Sequence, residues 1–214
     1  MDNTEYGNYQ FDRGFGICPL AGVDEAGRGP LAGPVVIAGV ILPWEPPFYA
    51  VNDSKQLTPA QREELAQLLK EDSRVKYAIS IKSAQRIDEI NILRATHEGM
   101  REVALQLAAA LTLVDGCKVP SFPVEARFIV KGDAKSAAIA AASILAKTTR
   151  DTIMRELDAK YPGYGFAVHN GYGTKQHLEA LRTLGPTPEH RRSFAPMKQP
   201  APPNPEQQLE LPFL

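Results

Sequence analysis

The sequence predicts a mixed α/β domain followed by a flexible C-terminal tail. Short runs of β-branched and other apolar residues alternate with segments in which apolar residues recur at helical spacing, a pattern typical of strands and helices that share one core. With 214 residues, 43% of them hydrophobic, the chain can bury such a core without disulfides or a structural metal. The composition changes after Gly185, and residues 195–206 contain five prolines, which indicates a linker rather than a packed element.

The N-terminal half supplies three predicted strands and one helix. Residues 1–18 are polar and without periodicity, which predicts a loosely ordered lead-in. Residues 21–24 and 35–42 are short apolar runs separated by glycines and prolines, and they predict a hairpin. The Thr58-Pro59 pair provides a capping hydroxyl and a proline for the first helical turn, so a helix is expected to begin there. Alternation over residues 75–81 predicts the third strand.

The C-terminal half continues the same alternation of elements. Helical periodicity resumes over residues 90–107, and residues 111–114 and 126–130 are again strand-like. Residues 136–157 predict a long alanine-rich helix, whose small side chains allow a close approach to a neighbouring element. Together these elements predict a mixed α/β domain.

Charge, cysteine content and hydropathy argue against several classes of protein. Basic and acidic residues balance, 24 against 25, so a nucleic-acid site would have to be a local patch. Cys18 and Cys117 are far apart and without CxxC spacing, which argues against a zinc site, a redox motif or a disulfide framework. No stretch is long and apolar enough to span a bilayer, and residues 1–9 do not resemble a secretory signal, so a cytoplasmic location is expected.

Acidic residues follow the ends of the predicted strands. Asp24 and Glu25 follow the first apolar run, Asp115 follows the run that ends at residue 114, and Asp133 comes three residues after the strand that ends at residue 130. A carboxylate near a core is costly unless a cation accompanies it. Carboxylates that converge without histidines or a cysteine pair offer the oxygen ligands that Mg²⁺ or Mn²⁺ prefers. Simple turn residues at each strand end remain the alternative interpretation.

The turn Gly27-Arg28-Gly29 is the second candidate for a functional site. Two glycines allow the backbone to come close to a ligand, and the guanidinium between them offers donors suited to phosphate. An irregular turn with an exposed arginine is the plainer interpretation. The turn lacks the GxxxxGK[ST] spacing of a nucleotide-binding P-loop, as do residues 171–175, so chemistry on ATP is not expected.

A series of motifs in this order resembles bacterial ribonuclease HII from about residue 20 to Phe194. They are GVDEAGRGP at 22–30, NDSK at 52–55, VDG at 114–116, KGDA at 131–134, AASILAK at 141–147, RD at 150–151 and HNGYGT at 169–174. Several motifs in one order are far more specific than any of them alone. The resemblance implies a ribonuclease H-like fold over residues 19–194, which is a mixed sheet flanked by helices with a C-terminal helical part. Residues 195–214 would be a proline-rich linker and an apolar peptide.

The resemblance also implies a reaction and its catalytic residues. It implies a metal-dependent endoribonuclease that cleaves the RNA strand of RNA·DNA hybrids and incises on the 5′ side of single ribonucleotides embedded in duplex DNA, leaving 5′-phosphate and 3′-hydroxyl ends. Two Mg²⁺ or Mn²⁺ ions would activate water and stabilise the leaving oxygen in the catalytic complex. The family's catalytic and metal-binding carboxylates fall on Asp24, Glu25, Asp115 and Asp133.

The substrate-binding residues of the family also have counterparts here. The backbone of Gly27, Arg28 and Gly29 would read the ribose 2′-hydroxyl, and Tyr172 would stack on a sugar. Phosphate contacts are implied at Lys55, Ser143 and Lys147, although an exposed lysine is often only part of a solvated face. Two departures from the family pattern stand out, since Asn170 replaces a usual lysine and the residues at 136–137 replace a segment that usually contains proline.

The last seven residues resemble the short peptide by which bacterial replication and repair proteins dock on the sliding clamp. A glutamine is followed by leucines and an aromatic residue, at the end of the proline-rich linker. Packing of this peptide on the protein's own domain is the alternative. The candidate clamp-binding residues are Gln208, Leu209, Leu211, Phe213 and Leu214. We expect the protein to be a monomer and to have no membrane partner.

Two other functions compete with this interpretation. A nuclease of the same fold with a different substrate, such as a junction resolvase, would share the carboxylates but would lack the glycine-arginine-glycine turn and Tyr172. A hybrid-binding module without catalysis would be expected to have lost carboxylates, and all four are present.

Overall fold

A computed structural model describes residues 7–45 and 57–197. Within these ranges no helix is long and apolar enough to cross a membrane. A single turn of 3-10 helix spans Gly132–Ala134. The strands are β1 (Leu20–Ala26), β2 (Val35–Ile41), β3 (Lys76–Lys82), β4 (Leu111–Asp115) and β5 (Ala126–Ile129). The helices are α1 (Gly7–Arg13), α2 (Pro59–Glu71), α3 (Ala84–Ile90), α4 (Ile92–Leu107), α5 (Ala137–Lys160), α6 (Phe166–His169) and α7 (Lys175–Leu184).

The five strands form one mixed sheet with β1 at its centre. The strand order is β3-β2-β1-β4-β5. Strand β1 runs antiparallel to β2, which confirms the predicted hairpin, and parallel to β4. In the parallel pair Val23 lies opposite Val114. The next residues along each strand, Asp24 and Asp115, therefore reach the same edge of the sheet although they are far apart in the sequence.

Helices cover both faces of this sheet because β2 is apolar on both of its sides. All seven residues of β2 are buried. Val36, Ala38 and Val40 pack with α2 and α5, whereas Val35 and Ile37 pack with α3 and α4. A strand that is covered on both faces shows a continuous apolar run rather than alternation. The predicted sheet with flanking helices is confirmed.

Helix α5 lies directly against β1 because Gly22 has no side chain. A Cβ atom at this position would lie 2.1 Å from the carbonyl carbon of Ala138 and 2.2 Å from the amide nitrogen of Ile139. The helix contributes many buried alanines to the contact. The long alanine-rich helix predicted over residues 136–157 is therefore confirmed, and the side chain of Ser136 caps it by accepting a hydrogen bond from Ile139 N.

Part of the N-terminal segment is ordered, contrary to the prediction of a loosely ordered lead-in over residues 1–18. Residues 7–13 form α1, in which Tyr9 and Asp12 are buried. Asp12 Oδ2 accepts a hydrogen bond of 2.9 Å from the amide of Ala138 in the first turn of α5. A carboxylate at this position satisfies an amide donor and complements the dipole of the helix. Since its partner lies 126 residues further along the chain, no local pattern indicates the helix.

The helical segment predicted over residues 90–107 begins earlier and is divided into two. Helix α3 ends at Ile90 and α4 begins at Ile92. Asn91 between them has a φ of 68° and a ψ of 161°, a backbone conformation that side chains rarely adopt and that lies outside the left-handed helical region. Its side chain accepts a hydrogen bond from Arg94 N and so caps α4.

Candidate active site

Four acidic residues gather around the C-terminal ends of β1 and β4. Asp24 and Glu25 belong to β1, and Asp115 is the last residue of β4. Asp133 lies on the 3-10 turn that precedes α5 and is buried. The amide of Gly132 donates a hydrogen bond of 2.6 Å to Asp115 Oδ1, which ties this turn to the end of β4. The fold thus brings the predicted carboxylates to one corner of the sheet.

Ionisation is unfavourable in this corner. Asp24 is 6% exposed. Burial raises its pKa from 3.8 to about 7, and the negative charges of Glu25 and Asp115 act in the same direction. Burial also raises the pKa of Glu25, while Arg28 Nη1 at 3.4 Å from Glu25 Oε1 opposes this increase. A cation bound in this corner would relieve both the desolvation and the mutual repulsion.

The donor atoms of the corner suit a hard divalent cation. The four side chains offer carboxylate oxygens only, the ligands that Mg²⁺ and Mn²⁺ prefer. Over residues 7–45 and 57–197, no three carboxylate, histidine or cysteine side chains already stand close enough together to hold an ion. Repulsion between like charges favours such a spread. The chemistry of the donor set, rather than a preformed cage, makes this corner a candidate metal centre.

The buried guanidinium of Arg191 holds the Gly27-Arg28-Gly29 turn from behind. It is fully buried and donates hydrogen bonds to the carbonyls of Gly27 over 2.6 Å and Arg28 over 2.9 Å. Its Nε donates to the carbonyl of Gly33 over 3.0 Å. A trans peptide places its C=O and N–H on opposite sides, so the amides of Arg28 and Gly29 point away from Arg191. The exposed side of the turn therefore presents backbone donors.

A second buried arginine, Arg150, connects this turn with the segment that carries Tyr172. Its Nη2 donates a hydrogen bond of 2.9 Å to the carbonyl of Asn170. It also passes close to Gly27, where a Cβ atom would lie 2.0 Å from Arg150 Nε. Gly27 has a φ of +93°, which side chains rarely adopt. Both the backbone conformation and the nearby arginine therefore require glycine at this position.

The ring of Tyr172 lies beside the same turn and is 52% exposed. A Cβ atom at Gly29 would be 3.5 Å from Tyr172 Cε1, which is ordinary contact distance. Asn170, two residues earlier, has a φ of 50°. This left-handed conformation favours asparagine over most side chains, which gives a local reason for the departure from lysine. The backbone donors and an exposed aromatic face are thus neighbours.

A cleft of about 450 Å³ runs past both turns to the acidic corner. Its lining carries three cationic side chains and the two carboxylates of Glu25 and Asp151, whereas the whole chain has a net charge of −1. This small local excess of positive charge can attract the phosphates of a nucleic acid. Arg62, at the start of α2, is a cleft residue that the sequence does not single out, and its Nη1 donates to the carbonyl of Leu57 over 3.0 Å. The cations of the cleft wall are Arg62, Lys147 and Arg150.

Ser143 does not lie on the cleft surface, where the predicted phosphate contact would require it. It is 1% exposed, and its side chain forms a hydrogen bond with Asp24. It therefore supports a carboxylate from behind, whereas Lys147, one turn further along α5, lines the cleft. The predicted contact residues that fall outside the described ranges are Lys55, Gln208, Leu209, Leu211, Phe213 and Leu214.

The sequence does not reveal the two buried arginines as parts of the site. Arg150 and Arg191 act on backbone carbonyls, so no complementary side chain marks their partners in the sequence. The only local signal is that Arg150 falls within the motif series. Their roles become visible only when the topology brings Gly27 and residue 191 together.

Comparison with known proteins agrees with this architecture. The family model described as Ribonuclease HII matches residues 21–197. The ribonuclease HII of Chlamydia caviae is 50% identical over 201 residues, which cover 93% of each chain. The ribonuclease HII of Geobacillus kaustophilus is 54% identical over 187 residues, which cover 86% of this chain and 71% of the relative.

Solved structures give the same result. The ribonuclease H2 of Pyrococcus horikoshii is 30% identical, with a TM-score of 0.69 and coverage of 83% of this chain and 94% of that chain. The PCNA:RNase HII complex from Archaeoglobus fulgidus contains a chain that is 26% identical, with a TM-score of 0.68 and coverage of 85% and 98%. The predicted resemblance is confirmed, and the chain belongs to the ribonuclease HII family of endoribonucleases.

Proposed function

We propose that the protein cleaves the RNA strand of RNA·DNA hybrids and incises duplex DNA on the 5′ side of single embedded ribonucleotides. The observation that carries the proposal is the Gly27-Arg28-Gly29 turn, whose carbonyls are bound by Arg191. Its outward amides can donate to a ribose 2′-hydroxyl, the group that distinguishes RNA from DNA. Tyr172 is within contact distance of Gly29 and can stack on the sugar that follows the ribonucleotide. A junction-cleaving nuclease has no use for this pair of features.

The acidic corner would hold the ions of the reaction. Asp24, Glu25, Asp115 and Asp133 would bind Mg²⁺ or Mn²⁺, two ions in the catalytic complex, because all four supply oxygen ligands. Burial makes the charges of Asp24 and Glu25 unfavourable unless a cation accompanies them. When bound, such ions lower the pKa of a water molecule and neutralise charge on the leaving 3′-oxygen, so that the products carry 5′-phosphate and 3′-hydroxyl ends. Ser143 would keep Asp24 oriented through their hydrogen bond.

The cleft cations would hold the nucleic-acid backbone across the acidic corner. Lys147 and Arg62 line the same cleft as Glu25 and Gly27, so phosphates bound by them would pass both the carboxylates and the turn. Arg28 is exposed and 3.4 Å from Glu25, where it can also meet a phosphate. We place the enzyme in the cytoplasm and expect it to act as a monomer.

One assay tests the proposed reaction. A duplex with one embedded ribonucleotide, incubated with the full-length protein and Mg²⁺, should be cut on the 5′ side of the ribonucleotide, and excess EDTA should abolish the cut. An all-DNA duplex of the same sequence is the control and should remain intact. Cleavage of a four-way DNA junction at a comparable rate would instead favour the resolvase alternative, and tight binding of the hybrid without any cleavage would favour the binding module.

Tyr172→Ala should lose activity on the single-ribonucleotide duplex more than on a long RNA·DNA hybrid. On a substrate in which only one ribonucleotide aligns the strand, removal of the ring costs stacking worth about 1–3 kcal/mol. This corresponds to a loss of roughly tenfold to a hundredfold in kcat/KM. A long hybrid offers the 2′-hydroxyl contact in many registers. The measurement is kcat/KM for both substrates with Tyr172→Phe as the matched control. Equal losses on the two substrates would leave Tyr172 as a general packing or binding residue.

We also propose that residues 208–214 bind a sliding clamp. Leu209, Leu211, Phe213 and Leu214 form an apolar tip after a proline-rich linker, and apolar groups on a tether are costly to leave in water. The Archaeoglobus fulgidus relative has been solved as a complex with PCNA, which supports a clamp as the partner. Docking would raise the effective concentration of the enzyme on DNA.

Deletion of residues 207–214 is expected to abolish clamp binding in calorimetry while cleavage of a short oligonucleotide stays unchanged. The described residues that line the cleft all lie between positions 25 and 172, so we expect the chemical step to be independent of the tail. Replacement of Phe213 and Leu214 by alanine in the full chain is the matched control. A truncated protein that unfolds would show instead that the tail packs on its own domain.

A further inference from the structure

Three buried histidines, His169, His177 and His190, form a histidine chain beneath the segment that carries Tyr172, joined by ring stacking between the first two and by a hydrogen bond between the last two. The rings of His169 and His177 stack with centroids 4.6 Å apart and an angle of 15° between their planes. His177 Nε2 lies 3.0 Å from His190 Nε2. The other nitrogen of His177, Nδ1, lies 2.9 Å from the carbonyl oxygen of Tyr172. The histidine chain therefore ends on the backbone of a residue of the cleft.

The partners of the histidine chain fix the position of every ring proton. A carbonyl oxygen only accepts, so His177 Nδ1 must carry the proton that it donates to Tyr172. In the neutral ring, His177 Nε2 is then an acceptor, and His190 Nε2 must donate to it. His190 Nδ1 is left as the acceptor for the amide of Thr187 at 2.9 Å. Each proton assignment agrees with the next, so every ring nitrogen of His177 and His190 has a matching hydrogen-bond donor or acceptor.

The hydrogen-bond partners of His169 fix the proton position on the third ring in the same way. His169 Nε2 lies 2.8 Å from the carbonyl of Tyr164 and must donate to it, while Nδ1 accepts from the amide of Gly171 at 3.2 Å. An additional proton on any of the three rings would face a donor. Burial lowers the pKa of His190 to about 4 and lowers that of His177, which agrees with neutral rings at these two positions.

A histidine that merely fills a core needs the right volume and one satisfied nitrogen. His177 is fully buried and does fill the core, but both of its nitrogens are bound, and one of them holds the residue whose ring stands in the cleft. The neighbouring carbonyls are held as well, Asn170 by Arg150 and Gly171 by the amide of Leu31. Three successive carbonyls, from Asn170 to Tyr172, thus have fixed donors.

We propose that His177 is a positioning residue for substrate discrimination, which it exerts by holding the main chain of Tyr172 through its Nδ1–H. This inference rests on the proposed function, because it assigns to Tyr172 the recognition of a single ribonucleotide. His190 orients the His177 ring by its hydrogen bond to Nε2. The effect is indirect, since neither histidine lines the cleft.

Two substitutions of His177 separate positioning from packing. His177→Asn places an amide N–H near the position of Nδ1 and keeps a donor for the Tyr172 carbonyl, but it loses the contact with His190. His177→Gln reaches the position of Nε2 and keeps a partner for His190, but it loses the side-chain donor to Tyr172, whose carbonyl then accepts only from the amide of Thr174. Both remove the same ring from the core, and the shorter asparagine leaves the larger void, so a packing effect alone would penalise His177→Asn more than His177→Gln. The measured quantity is kcat/KM on a duplex with one embedded ribonucleotide, corrected for the folded fraction seen by circular dichroism.

We expect His177→Gln to lose about tenfold in kcat/KM on this substrate, the effect of one lost hydrogen bond, and His177→Asn to stay within about threefold of the wild type. On a Tyr172→Ala background the two substitutions should be equivalent, because there is no ring left to position. Equal losses for Asn and Gln on the wild-type background, or an undiminished Gln effect on the Tyr172→Ala background, would overturn the proposal.

A measurement on the unaltered protein covers the case in which neither variant folds. Nitrogen-15 NMR of histidine-labelled protein should show His177 protonated at Nδ1 and His190 at Nε2 around neutral pH. The opposite tautomer at His177 would overturn the proposal, because the Tyr172 carbonyl would then have no donor from this ring. A wild-type protein that cuts neither substrate would refute the proposed function alone, since the tautomers are measured without any substrate.

Discussion

Asp24→Asn is expected to reduce cleavage of every substrate by about a thousandfold or more while the fold stays intact. The substitution removes a charged oxygen ligand from the centre of the acidic corner but keeps the side chain's shape. Its remaining oxygen can still accept the hydrogen bond of 2.7 Å from the amide of Glu25. Single-turnover cleavage of the ribonucleotide duplex at saturating Mg²⁺ measures the effect. Asp115→Asn should reduce the cleavage rate to a similar extent.

The same substitution should stabilise the protein in the absence of metal. The pKa of Asp24 is raised from 3.8 to about 7 in the folded state, so its ionisation opposes folding as the pH rises from about 4 to about 7. The Asn variant should therefore match the wild type near pH 4 and exceed its Tm at pH 8. A gain of at least about 1 kcal/mol corresponds to about 2–4 °C in a chain of this length.

Two controls make this result specific. Glu125→Gln removes an exposed carboxylate outside the acidic corner and should change neither cleavage nor Tm appreciably. Addition of Mg²⁺ should raise the Tm of the wild type more than that of Asp24→Asn, because binding to the folded state is weakened in the variant. A folded Asp24→Asn protein with nearly normal turnover would remove Asp24 from the metal centre.

Gly22→Ala is expected to have the largest effect on stability. The added methyl group would lie 2.1–2.4 Å from three backbone atoms of Ala138 and Ile139 in α5, and backbone cannot rotate away as a side chain can. Helix α5 would have to separate from β1, the central strand of the sheet. We expect a loss of about 3 kcal/mol or more, which lowers Tm by about 6–12 °C, measured by thermal denaturation with circular dichroism.

Gly7→Ala provides the matched control for this substitution. A Cβ atom at Gly7 would meet nothing within 4 Å, and the residue lies in helix α1, where alanine is the better helix former. Its Tm should remain the same or rise slightly. If Gly22→Ala denatured within about 2 °C of the wild type, the close contact between β1 and α5 would be wrong.

The sequence predicts those parts of the fold whose signals are local. Thr58 starts α2 as its hydroxyl and the following proline indicate, with a capping box that includes Gln61. The β1–β2 hairpin and α5 follow from apolar runs and from alanine content. Helix α1 could not be predicted, because the hydrogen bond that Asp12 accepts from Ala138 joins residues that are 126 positions apart in the sequence.

Some residues of the candidate site are likewise marked by a local signal in the sequence, and others are not. Asp24 and Asp115 each follow an apolar run, so the amino-acid sequence alone marks them as candidate ligands. Arg191 gives no such sign, since its partners are the carbonyls of residues more than 150 positions earlier. Ser143 lies within a recognisable motif, yet only the packing of α5 on β1 shows that it supports Asp24 instead of facing a phosphate.

The hydrogen bonds from Arg191 to Gly27 and Arg28 also have a consequence for biosynthesis. All four carboxylates of the acidic corner have been translated by residue 133, whereas the guanidinium that orients the glycine-arginine-glycine turn is added 164 residues after Gly27. At about 5–20 residues per second, about 8–30 seconds separate the synthesis of Gly27 from that of Arg191 on the ribosome. A nascent chain thus acquires its acidic residues well before it acquires the guanidinium that holds the backbone of this turn, which we propose reads the 2′-hydroxyl of the substrate.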